Sequence, residues 1–119
     1  MTLLDELKKK KCQSCEGKNI PPMGADSAKT YLQDLPAWTL SDDAKSIRKL
    51  FLMKNFMAAV KFINEIAKVA EGEDHHPDIH LTGYRKLTIE LSTHSIGGLS
   101  ENDFILAAKI ESLPKDLKP

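Results

Sequence analysis

The stretch from Asn55 to Glu71 constrains this chain more than any other. Asn55 is a good N-cap, because its short side chain accepts from an orphan backbone N–H of a first helical turn. Phe56, Val60, Ile63, Ala67 and Ala70 follow at helical spacing and share one face. Met57, Phe62, Ile66 and Val69 spread apolar surface beyond that face. Two arrangements cover such a helix. It is buried all round, or one face lies on a sheet and the excess meets another subunit. The pattern alone leaves both open.

What the helix packs against is read from Lys86 to Ser92. Leu87, Ile89 and Leu91 point one way, and Lys86, Thr88, Glu90 and Ser92 the other. A strand with one apolar face belongs to a sheet covered on one side, which favours antiparallel pairing. Around these two anchors the remaining signals fall into order. Ser27 caps a short helix to about Leu35, stopped by Pro36. Trp38 to Leu40 is a short strand, Ser41-Asp42-Asp43 a turn, and Ser46 to Leu52 a second strand. Gly97-Gly98 forms a loop, and Ser100 to about Ile110 a last helix, with Asp103 placed for a capping box. The expected fold class is α+β, an antiparallel sheet of about four strands with helices packed on one face.

Length sets the domain count. The chain has 119 residues, enough for one core without staples. Residues 1–23 read as a loosely attached, lysine-rich arm ending in Pro21-Pro22, and 24–119 as one domain. Lys+Arg and Asp+Glu are both 17, so the net charge is zero. A balanced chain has no global field to draw phosphates, which argues against nucleic acid or an anionic membrane as partner. Neutrality also favours self-association. No apolar run approaches the ~20 residues of a membrane helix. The first eleven residues lack the apolar core of a secretory signal, so the expected compartment is the cytoplasm, with Cys12 and Cys15 reduced.

All four histidines lie between residues 75 and 94: His75, His76, His80 and His94. Imidazole is the side chain that gives or takes a proton near neutral pH. Glu71, Glu73, Asp74 and Asp78 flank the cluster, and a carboxylate beside an imidazole fixes its orientation. Pro77 keeps the long helix from running on through the pair, so His75 and His76 fall in a corner. His94 sits where the regular strand ends, before the glycine loop. The plainer interpretation is a hydrated turn and a surface histidine.

At these residues the chain resembles the pterin-4a-carbinolamine dehydratases. The matching pattern is Glu71-x3-His75-His76-Pro77, then Tyr84, His94 and Asp103. Six residues separate Pro77 from Tyr84, nine separate Tyr84 from His94, and eight separate His94 from Asp103. The strings Glu73-Asp74-His75-His76-Pro77, Ser92-Thr93-His94 and Gly97-Gly98-Leu99-Ser100-Glu101-Asn102-Asp103 are similar too. The likeness runs from about Leu35 to Ile110. Cys12-x2-Cys15-Glu16-Gly17 resembles an N-terminal extension of some members.

The resemblance implies a hydro-lyase that converts 4a-hydroxytetrahydropterin to quinonoid dihydropterin and water. That is a step in recycling the tetrahydrobiopterin used by aromatic amino acid hydroxylases. It implies a dimer or tetramer and no cofactor or metal. His75 and His94 are expected to move the protons, and His76 to hold the pterin and its leaving hydroxyl. Glu71 and Asp74 would orient or tune the imidazoles, and Ser92 and Thr93 would face the pterin edge. His80 falls outside the pattern and reads as surface. Tyr84 and Trp38 read as packing residues, and Asp103 as a helix cap.

Two other classes compete. The histidines and Cys12-x2-Cys15 are zinc-ligating types, but Pro77 breaks the one-turn spacing of His76 and His80, and a second cysteine pair is missing. The alternative is a non-enzymatic oligomeric module. At least one member of the resembled family acts as a transcriptional coactivator through its oligomer-forming helix. A scaffold alone has no use for the histidines.

Overall fold

The computed structural model describes residues 6, 7, 9, 10 and 22–119. Cys12 and Cys15 lie outside them. The elements are α1 (Ala25–Leu32), β1 (Thr39–Leu40), β2 (Ile47–Leu52), α2 (Phe56–Glu73), β3 (Asp78–Thr82), β4 (Lys86–Leu91) and α3 (Glu101–Ser112). A 3-10 turn, His94–Ile96, joins β4 to α3. The strands form one antiparallel sheet in the order β1-β2-β4-β3.

Strand periodicity sorts the sheet into two faces. Ile47 pairs with Leu91, Lys49 with Ile89 and Phe51 with Leu87, and β3 adds Ile79 and Leu81 beside Ile89 and Leu87. These residues point to the helices, and Ile47, Phe51, Leu87, Ile89 and Leu91 are buried. The alternate rows, including Arg48 with Glu90 and Leu50 with Thr88, point away. The helices thus cover one face of a four-stranded sheet, as the alternation of β4 predicts.

Helix α2 begins where expected, with the Asn55 side chain accepting from the Ala58 N–H at 2.8 Å. Its buried face is not the expected one. Ala59, Phe62, Ile66 and Ala70 enter the core, whereas Phe56 is 50% and Met57 71% exposed. Ala67 is exposed as well. The polar side chains explain the rotation. Lys61, Asn64, Glu65 and Lys68 occupy one side of the helix, and the residues diametrically opposite are those the core receives. Phe62 then meets Phe51 edge-on, centroids 5.1 Å apart.

Three further differences are local. Helix α1 starts at Ala25 after Gly24, not at a Ser27 cap, and ends at Leu32. Its entry is set from outside, by the Met23 N–H donating to Leu99 C=O at 2.7 Å. Strand β3 carried no clear sequence signal, being an edge strand with no fully buried residue. Tyr84 does not pack. It is 58% exposed at the β3–β4 tip with φ 54°, following Gly83 at φ 53°. A three-residue connection needs left-handed residues there, and its ring is left to the Arg85 guanidinium, 5.4 Å away. Trp38 is core, as read, and its Nε1–H donates to Glu111 Oε1 at 2.8 Å. His80 is on the surface. From the N-terminal arm, Leu7 reaches the core and is fully buried.

Candidate active site

The end of α2 aims the histidine pair. Asp74 takes a left-handed conformation, φ 51°, which aspartate tolerates better than most residues. Its N–H bonds back to Glu71 C=O at 3.3 Å, and the His75 N–H to Ala70 C=O at 3.1 Å. This paired closure is a Schellman motif, and it reverses the chain at once. Asp74 is therefore the residue on which the helix stops. Pro77 then leads into β3.

The reversal sends the two imidazoles different ways. His75 turns inward, its side chain 11% exposed, and its Nε2 lies 2.6 Å from Asp103 Oδ1. His76 turns to solvent, and its Nε2 lies 2.7 Å from Glu71 Oε1. A carboxylate only accepts, so in both pairs Nε2 carries the proton and Nδ1 is left for other work.

Asp103 is fully buried, which a carboxylate tolerates only when well bonded. Oδ1 accepts from His75, and Oδ2 accepts from the Thr93 hydroxyl at 2.8 Å and the Ser100 N–H at 3.0 Å. The Ser100 hydroxyl completes the set by donating to Thr93 Oγ1 at 2.8 Å. The capping box of α3 is present as expected, but it uses one oxygen of Asp103. The other oxygen anchors His75. Sequence reading gave this residue the cap and missed the anchor.

His94 opens the 3-10 turn directly after Thr93. The turn closes when the Gly97 N–H reaches His94 C=O at 3.1 Å, with Gly97 at φ 69°, a conformation glycine adopts without strain. Thr93 and Gly98 then pair through both backbones, at 2.8 and 3.3 Å. A shallow depression here is lined by Lys45, Ser92, Thr93, His94, Gly97 and Gly98. Ser92 lies where it can meet a ligand, and Lys45 is a rim cation the sequence did not single out. Thr93 commits its hydroxyl to Asp103. A single bonded string thus runs from His75 through Asp103 to Thr93, next to His94. Among the described residues, no group of three His, Cys, Asp or Glu side chains is placed to hold a metal ion. None of their helices is long and apolar enough to cross a membrane.

Comparison with known proteins places the chain in a family. Residues 21–113 match the family model described as pterin 4 alpha carbinolamine dehydratase. The chain is 45% identical over 112 residues to a Nitrosospira multiformis protein provisionally named as that dehydratase, covering 94% of this chain and 96% of the other. It is 43% identical over 112 residues to the mitochondrial pterin-4-alpha-carbinolamine dehydratase 2 of Arabidopsis thaliana, covering 92% of this chain and 60% of that protein. Among solved structures, a transcriptional coactivator/pterin dehydratase from Brucella melitensis superposes with a TM-score of 0.72 at 30% identity, over 76% of this chain and 96% of the other. The family model, the sequences of these relatives and the likeness of fold together show that this chain belongs to the pterin-4-alpha-carbinolamine dehydratase family.

Proposed function

We propose that this protein dehydrates 4a-hydroxytetrahydropterin, with His75 and His94 moving the protons. The reaction breaks the C4a–OH bond and forms the C4a=N5 bond. One imidazole protonates the departing hydroxyl, which leaves as water. The other takes the proton from N5. The proton count closes without a metal or redox partner, and a positioned acid or base contributes ~10²–10⁴-fold.

The observation that carries this reading is the buried Asp103 beneath His75. It fixes the ring and its tautomer, so that Nδ1 is the working atom. His94 supplies the second imidazole from a different element. His76, held by Glu71, contacts the pterin and its hydroxyl, and Ser92 lines the approach. Asp74 acts through the turn it makes, and Thr93 through Asp103. The setting is tetrahydropterin recycling in the cytoplasm, downstream of an aromatic amino acid hydroxylase.

The test generates the carbinolamine in situ with such a hydroxylase and follows its decay by absorbance. The protein should accelerate decay over the uncatalysed rate. His75→Ala and His94→Ala should each remove ~10²-fold or more while remaining folded. Full turnover in either variant removes that residue from the mechanism.

A second reading, partner binding through α2, has its own observation: Phe56 and Met57 are exposed side by side at the start of that helix. We assign this flank to assembly of a homodimer or homotetramer. Phe56→Ser should lower the oligomeric state in sedimentation, and an unchanged mass would count against it.

A further inference from the structure

The segment joining the His94 turn to α3 is gripped by the N-terminal part of the chain at Gly98 and Leu99, and again at Glu101, the first residue of the helix. At Gly98, a Cβ would stand 2.8 Å from Pro22 Cβ, and its three nearest atoms are all from Pro22. Leu99 C=O accepts the Met23 N–H at 2.7 Å. The Glu101 carboxylate takes the Tyr31 hydroxyl at 2.8 Å and Lys10 Nζ at 3.2 Å. Tyr31 in turn stacks on Phe104 of α3, centroids 4.8 Å apart. On the opposite side the same segment is tied to the site, because Gly98 pairs with Thr93 and Ser100 bonds Asp103.

We infer that Pro22 and Met23 are positioning residues for His94, with Gly98 as the contact through which they act. Neither residue lines the depression beside His94. They set the height of the Gly97–Leu99 backbone, and through the Thr93–Gly98 pair that height sets where the His94 ring stands. A glycine is required at 98 because the side-chain ring of Pro22 comes too close for a Cβ. Its φ is not left-handed, so the requirement is one of space and not of torsion. The inference deepens the dehydratase reading above and rests on it for its kinetic arm.

The experiment is a double-variant cycle in the full chain, since Leu7 in the core makes deletion of the arm uninformative. Gly98→Ala should lower kcat about tenfold with KM within about twofold, as expected when a catalytic group is displaced by a fraction of an ångström. Pro22→Gly removes the opposing Cβ, so the Pro22→Gly/Gly98→Ala protein should recover to within about threefold of the Pro22→Gly protein. In parallel, amide exchange at residues 93 and 98 should quicken in Gly98→Ala and slow again in the double variant, while β2 and β4 amides hold. Unchanged kcat and exchange in Gly98→Ala would overturn the inference. So would failure of Pro22→Gly to restore either, or quickening spread equally over β4. If the unaltered protein shows no dehydratase activity, the proposed function fails, and the exchange data alone still decide whether Pro22 holds this loop.

Discussion

At the scale of single residues, Asp103 has two separable jobs. Asp103→Asn keeps the size of the side chain but gives one end two donors. That end must face either His75 Nε2–H or the Thr93 and Ser100 donors, so at least one bond becomes a donor–donor clash. A buried group left unpaired costs about 1–3 kcal/mol, and the variant should lose that much stability in denaturant unfolding. Turnover should fall at least ~10²-fold, because His75 loses its fixed tautomer. A stable variant with normal turnover would separate His75 from Asp103 in function. Sequence spacing found both partners but not their bond. The anchor joins residues 28 positions apart, and local pattern carries no signal for such a pair. The bond from the Thr93 hydroxyl to Asp103 was illegible for the same reason: a hydroxyl at a strand end is free in sequence and committed in space.

At the scale of elements, α2 shows what a periodic pattern gives and withholds. Its existence, its cap and its length follow from Asn55 and the apolar spacing. Its orientation does not follow from the apolar residues, because two stripes are available and differ by a rotation. The polar residues decide it, and the sheet side falls opposite Lys61, Asn64, Glu65 and Lys68. This assignment makes opposite predictions for two phenylalanines on one helix. Phe62→Ala should destabilise by about 3–5 kcal/mol, the cost of emptying a core aromatic site. In the isolated protomer Phe56→Ala should change stability by no more than about 0.5 kcal/mol. Thermal melts of the two variants at low protein concentration check the pair, and similar losses would mean the helix is turned the other way. Strand β3 escaped notice because an edge strand buries only half-covered side chains, so its alternation is faint.

At the scale of the whole molecule, zero net charge hides local asymmetry in how ionisable groups are used. Tyr31 joins α1 to α3, and burial, together with its bond to Glu101, pushes its phenol up from 10.0 to about 12. The folded pKa is higher than the unfolded one, so the protonated phenol stabilises the fold at every pH below about 10. That contribution is lost as pH rises through about 12. Urea unfolding at pH 9 and 11 should therefore show a larger loss for the unaltered protein than for Tyr31→Phe. Equal losses would show that the phenol is not a link between the two helices. Composition predicted the balance of charge and the single core, and β4 predicted the covered face. It could not show that the N-terminal arm reaches that core, because Leu7 stands directly between acids and lysines in a segment that reads as charged.

The shared carboxylate also bears on how such a site is lost over generations. Selection for a stable α3 would retain Asp103 even where nothing selects for proton transfer, and His75, the partner of its buried Oδ1, would share in that protection, whereas under the proposed mechanism His94 repays only catalysis. A lineage that abandoned the reaction would therefore let His94 drift first and keep its aspartate longest. That order of decay would make the aspartate a marker of ancestry and the survival of His94 a marker of use.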